Sequence, residues 1–396
     1  MNQLTPDQAQ ALWSAGGFLV FNGLPEGSEF GIDGSLNVIR KFSGIKFLPP
    51  GIHLITWSTS NGPGGIPIRS GLIKYLQPKE RFILEHDPKN DHTEIIKDVV
   101  VSDERLKSLD GELAPYPFDQ LEKWKGLISH ITEETLQAVL GADGKILNGL
   151  VEVEGEEEDS AERRRGKGGA TLREDAGESG KLDFVRFNLK KSWRDGAVGE
   201  EVTRFSRDKS WLAGDVMARQ LGGDAFKLIS QLQLSFILLL HLSSYSALLV
   251  YKRILTLLCQ SPTFLSSPAE YFSSSSALKS VQDTYIALVD TLASQIQAIP
   301  DGTFDTELPE LDVFYLDQTD SLRRNLGTAM SLSEDTPRWD GVASTRVISS
   351  WSKLREAGKQ WGWEISELTM NSARLNGEDD DESEEEGEYA PVIVEM

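Results

Sequence analysis

The pattern of apolar and polar positions changes period partway along this chain. In the first third, short alternating runs recur at Gly17 to Phe21, Ile45 to Leu48, Ile52 to Trp57, Ile68 to Leu76, Arg81 to Glu85 and Glu94 to Val101. Alternation with a period of two is the signature of strands with one buried face. Turn-forming strings separate the runs: Asn22-Gly23, Pro49-Pro50-Gly51 and Asn61-Gly62-Pro63-Gly64-Gly65. A mostly antiparallel β domain with short helices at its end is expected. Phe118, Leu121, Trp124, Ile128 and Ile131 follow Pro117 at spacings of three and four, and Thr132 before Glu133-Glu134 opens a second short helix.

Later the period becomes helical. Val281, Tyr285, Leu288, Leu292 and Ile296 form one apolar stripe closed by Pro300-Asp301-Gly302, with further stripes near 209–222, 318–332 and 343–361. An all-α domain is expected there, so the fold class is a two-domain α+β chain. Between Leu228 and Tyr251 lie 24 residues without a formal charge, enough to span a bilayer. Eight of them are Ser, Gln or His, however, and Ser243-Ser244 sits where one helix would end and another be capped. Two buried helices in a hairpin are expected instead, with His241 as a core residue.

Charge refines the division. The 396 residues carry 40 Lys+Arg against 62 Asp+Glu, a net charge of −22. Six acids crowd between Glu152 and Asp159, ahead of Arg163-Arg164-Arg165 and Lys167, and nine more lie between Glu378 and Glu388. Segments this polar bury too little apolar surface to offset the entropy of ordering. The expected layout is a β-rich domain over 1–150, a disordered linker over 151–182, a helical domain over 183–375, a disordered acidic spacer over 376–389 and a tail over 390–396. The acidic balance opposes direct nucleic acid binding. The opening Met1-Asn2-Gln3-Leu4-Thr5-Pro6 has no apolar leader character and Cys259 has no second Cys to pair with. A monomer in cytoplasm and nucleus, with no membrane association, is expected.

The usual catalytic constellations do not occur. There is no G-x-G-x-x-G, Walker loop or H-E-x-x-H, and five scattered His with one Cys lack the short spacing of a zinc site. No cofactor is expected. Cys259 lies on an apolar stripe and reads as a core residue. Two readings remain for His53: a general base oriented by Asp33, with a serine of the 58–60 segment as nucleophile, or a strand residue that hydrogen-bonds a loop. The Arg163 to Lys167 run reads as a solvated linker. At the C-terminus, Val392-Ile393-Val394 is β-branched and follows the acidic spacer. Such a segment buries itself only by docking, on a partner's sheet edge or on the chain's own β domain. Ser383, within Asp381-Glu382-Ser383-Glu384-Glu385-Glu386, is a candidate for acid-directed phosphorylation.

Several strings carry a family resemblance. PEGSEFGID at Pro25 to Asp33, FSGIKFLPPGIH at Phe42 to His53, APYPFDQLEKW at Ala114 to Trp124, the apolar run Gln231 to Ser261 and the closing APVIVEM at Ala390 to Met396 resemble the Aar-two family of pre-mRNA splicing factors. The signature residues are Glu29, Phe30, Gly31, Asp33, Pro49, Pro50, Gly51, His53, Pro115, Tyr116 and Trp124. The resemblance covers nearly the whole chain except the acidic and arginine-rich linker. It implies a helical domain with a VHS-like fold, no catalytic activity, and a placeholder that assists assembly of the U5 snRNP. The implied partner is the large U5 scaffold protein, contacted at its RNase H-like and Jab/MPN-like domains. The placeholder blocks premature helicase and RNA binding until phosphorylation releases it. Partner contact is carried over onto Val392, Ile393 and Val394, as an added strand. A VHS-like peptide-binding adaptor and a hydrolase using His53 and Asp33 stand as alternatives.

Overall fold

A computed structural model of the chain describes residues 6–59, 69–97, 100–141, 146–148, 182–271, 277–304, 308–331 and 339–369. The Arg163 to Lys167 run, Ser383 and Val392 to Val394 lie outside them. The chain forms two compact units, one of residues 1–183 and 237–247 and one of 184–236 and 248–396. The first is β-rich with short helices; the second is helical.

Among the described residues, helix α1 (Pro6–Ala15) precedes ten strands: β1 (Gly17–Asn22), β2 (Glu29–Ile32), β3 (Ser35–Val38), β4 (Gly44–Leu48), β5 (Gly51–Ser58), β6 (Ser70–Leu76), β7 (Arg81–Asp87), β8 (His92–Ile96), β9 (Leu113–Pro115) and β10 (Ile146–Asn148). Helix α2 (Asp103–Leu109) precedes β9, and α3 (Leu121–Ile128) and α4 (Glu133–Leu140) follow it. One sheet has the order β8-β7-β1-β4-β9, the other β10-β6-β5-β2-β3. Pairing is antiparallel except at β1–β7 and β4–β9.

Both faces of β1 are buried. Leu19 and Phe21 point into the core shared with Phe30, Ile32, Ile55, Trp57 and Leu72 of the other sheet. Phe18 and Val20 face a second cluster with Val101, Leu106 of α2 and Leu113. Trp13 of α1 stacks edge-on against Phe18 at 4.9 Å. The run Glu94 to Val101 is expected as one strand; the strand ends at Ile96, and Ile96 and Val101 both pack on this second cluster. Thr132 caps α4 by accepting from the Thr135 amide, as its place before two acids suggested.

The uncharged run resolves into two helices, Phe226–Leu242 and Tyr245–Cys259. Ser243 takes a left-handed φ of 54°, and the Ser244 hydroxyl accepts from the Ala247 amide. Among the described residues no helix is long and apolar enough to cross a membrane. The tip of this hairpin, residues 237–247, groups with the β unit. It lies against the outer face of the second sheet, where a Cβ on Gly71 would stand 2.8 Å from Leu242 Cδ2. Only a residue without a side chain lets Leu242 approach this closely.

In the helical unit, helix Ala277–Ala298 packs along Gly341–Lys359, with Asp283–Arg346 (2.8 Å) and Asp290–Lys353 (3.0 Å) pairs at their edges. Asp208 closes the turn into helix Ser210–Gln220, accepting from the Ser210 amide at 2.9 Å and the Thr263 hydroxyl at 2.6 Å.

Gly71→Ala should cost about 1–3 kcal/mol, the usual penalty of an overpacked contact. Leu242→Ala in the same chain should recover part of that loss. Chemical denaturation of the two single variants and the double variant measures the coupling.

Candidate functional site

The family-signature strings meet at one buried carboxylate. Residues Ile32 to Ser35 form a two-residue hairpin turn whose central residues, Asp33 and Gly34, have φ of 50° and 85°. Asp-Gly is the pair that tolerates two successive positive φ values and matches the twist of the strands. The turn aims the Asp33 side chain inward, where the residue is 4% exposed.

Three donors fill its oxygens. Oδ1 accepts from the Leu54 amide at 2.9 Å. Oδ2 accepts from the Tyr116 hydroxyl at 2.6 Å and from His53 Nδ1 at 2.6 Å. The other ring nitrogen, Nε2, lies 2.8 Å from the Pro49 carbonyl. Both ring nitrogens are thus engaged, and the pair is sealed from water. Burial, reinforced by the Asp33 charge, pushes the Tyr116 hydroxyl far above its ordinary range, and it remains a donor.

The remaining signature residues support this joint. Trp124 donates from Nε1 to the Ile52 carbonyl at 2.8 Å, fixing α3 on β5 beside His53. Gly31 pairs with Thr56, and a Cβ there would lie 2.3 Å from the Thr56 hydroxyl. Phe30 stacks on Phe42 at 4.5 Å. Glu29 pairs with Arg69 at 3.3 Å. Gly51, at φ 132°, lets the chain swing from Pro49-Pro50 into β5, while Pro115 pairs with Lys46 across β4 and β9.

This geometry leaves His53 no free nitrogen for a nucleophile. Ser58 is 2% exposed, and its hydroxyl has no hydrogen-bond partner in this structure. The reading of His53 as a strand residue bonded to a loop is the one that holds. Cys259 is fully enclosed, and burial pushes its thiol up, so a reactive thiolate is disfavoured there.

His241 sits at the hairpin tip, with its ring 6.2 Å from that of Trp124 and within 3.2 Å of a Cβ position on Gly34. The residue keeps some exposure at its edge, but Nε2 is shut away from water and has no hydrogen-bond partner. Burial first, then the Arg69 and Lys123 charges, lower it from 6.5 to about 4. The imidazole is neutral at physiological pH.

Removing one partner of the buried pair should be costly. Asp33→Ala and His53→Ala should each lose about 3–5 kcal/mol of stability. The double variant should lose much less than their sum, which denaturant titration would read as a coupling energy. His241 should add a pH dependence. A histidine with a lower pKa folded than unfolded contributes fully above pH 6.5 and loses that contribution as pH falls toward 4. The loss amounts to about 3 kcal/mol. His241→Gln should flatten the denaturation midpoint between pH 6.5 and 4 relative to the parent.

Comparison with known proteins agrees with this arrangement. Residues 15–141 match the profile of the AAR2 N-terminal domain, and residues 184–366 that of the AAR2 C-terminal repeat region. The mouse (Mus musculus) protein AAR2 homolog is 28% identical over 325 residues, covering 76% of this chain and 81% of its own. The Caenorhabditis elegans homolog is 27% identical over 296 residues, covering 68% and 79%. The human (Homo sapiens) homolog is 26% identical over 356 residues, covering 84% and 88%. With both family regions matched in order, and the signature residues converging on one joint, the chain belongs to the AAR2 family.

Proposed function

We propose that this protein is a splicing factor that acts without catalysis, as an assembly factor for the U5 snRNP. The observation that carries the reading is family membership across both the β-rich and the helical regions. Geometry supports it from the other side: the Asp33–His53 pair, which most resembles catalytic machinery in the sequence, is spent on holding two sheets together.

In this reading the chain holds the large U5 scaffold protein through two kinds of contact. The chain contacts the RNase H-like and Jab/MPN-like domains, and Val392, Ile393 and Val394 add a strand that bridges the two. Two modest contacts on one chain reinforce each other because the second is intramolecular. The acidic stretches repel RNA and so keep it from the scaffold while the factor is bound. Phosphorylation at Ser383 adds charge beside the strand and promotes release. The protein works in cytoplasm and nucleus as a monomer, without binding nucleic acid or membrane.

Affinity capture from cell extract with the full chain should recover the U5 scaffold protein. Deleting Pro391 to Met396 should weaken capture by about tenfold or more, given the avidity lost. Ser383→Glu should weaken it to a smaller extent. Undiminished capture by the truncated chain sinks the strand-addition contact, and capture of endosomal proteins alone sinks the assembly role.

A further inference from the structure

The strand β3 is one edge of the second sheet. Among the described residues it pairs only with β2 and forms the end of its sheet. Ile39 donates to the Ser28 carbonyl at 2.9 Å. In an antiparallel ladder hydrogen-bonded pairs alternate, so the amides and carbonyls of Leu36 and Val38 point to the open edge. Their side chains are 43% and 67% exposed. Both stand on the outer face of the sheet, the face of their ladder partners Gly31 and Glu29.

Proteins blunt an open edge with lysine, proline or a bulge. Ser35-Leu36-Asn37-Val38 has none of these within the strand. The opposite end of the other sheet is different: β8 exposes His92 and Glu94 there. β9 is three residues long and includes Pro115, which has no amide hydrogen. Arg40 and Lys41 follow β3 after the buried Ile39 and are exposed. Lys41 reaches Glu112 at 2.9 Å, whereas Arg40 forms no ion pair among the described residues.

We propose that the β3 edge is the resting place of the chain's own C-terminal segment, Ala390 to Met396, added as an antiparallel strand. Antiparallel pairing sets the start of the added strand beside the end of β3. The acids from Glu378 to Glu388, which immediately precede the segment, then fall next to Arg40 and Lys41. Val392 and Val394 share one face of such a strand and would cover the exposed parts of Leu36 and Val38. The 20 residues from 370 to 389 span up to roughly 70 Å when extended, so reach does not limit the pairing. The inference shares the strand-forming character of the tail with the function proposed above, but not the identity of any partner. Docked at home, the tail is unavailable to a partner's sheet edge, and the two sites compete for one strand.

Hydrogen–deuterium exchange of the full chain against a chain ending at Tyr389 tests this. The Leu36 and Val38 amides should exchange about tenfold faster in the shortened chain, and a synthetic peptide of Tyr389 to Met396 should restore protection in trans. In the full chain, Val38→Asp should speed exchange at Val392 to Val394, and Arg40→Glu with Lys41→Glu should do so more in low salt than in high. Equal exchange at Leu36 and Val38 with and without the tail overturns the proposal. So does protection of that edge appearing only after the U5 scaffold protein is added, which assigns the edge to a partner's strand. Loss of capture by the shortened chain with unchanged exchange at β3 would overturn home docking while leaving the assembly role intact.

Discussion

A carboxylate taken out of water survives only if its lone pairs are filled by donors. Asp33 meets that condition with the Leu54 amide, the His53 ring and the Tyr116 hydroxyl. These donors come from different places in the fold. Leu54 and His53 lie on β5 of one sheet, while Tyr116 directly follows β9 of the other. The single charge therefore acts as a joint between the two layers, and His53 passes the connection on to the Pro49 carbonyl at the end of β4. The signature strings follow from this geometry. Asp-Gly makes the turn, Pro-Pro-Gly presents the carbonyl and starts β5, and Trp124 clamps the helix that covers it. A buried polar pair of this kind contributes less net stability than its contacts suggest. Its value lies in permitting only one relative placement of the strands that carry it.

Much of the strand layout was legible because burial on one face leaves a period of two. β4, β5 and β6 sit close to the expected runs. The hairpin of β2 and β3 was not legible. Its outer face carries Gly31 and Glu29 on one strand and exposed Leu36 and Val38 on the other, so its pattern of polarity is inverted where a reader expects polar residues. Helices α1 and α2 escaped notice for another reason: α2 presents one fully buried residue, Leu106, too few for a stripe. The uncharged hairpin was the clearest feature of the helical half, since Ser243-Ser244 supplies both a stop and a cap.

Of the candidate site, the sequence reveals the residue types but not their atoms. Asp33 and His53 stand out as a possible dyad, and only coordinates show that the second nitrogen of His53 is already bonded. Tyr116 is 83 residues from Asp33, a separation across which no local pattern carries information. His241 was expected in the core, and it is, but in the core of the unit that its own helix enters only at its end. Such a placement depends on a glycine on a distant strand, Gly71, which leaves room for Leu242.

An open strand edge and a β-branched chain end are each hazards, because either can template pairing with another molecule. A single chain holding both is safer if the two meet, and for the assembly role proposed above this would have a quantitative consequence. Binding through a strand that is free only a fraction of the time is weakened by that fraction. A tail docked at home about 90% of the time would show about a tenth of its intrinsic affinity for a partner. The same modest shift works in reverse: a change that favours the home edge would weaken binding without altering a single contact on the partner. If the tail docks at β3 as proposed, the acids that precede it make that balance sensitive to charge, since a phosphate on Ser383 would act on Arg40 and Lys41 at one edge and on the partner at the other.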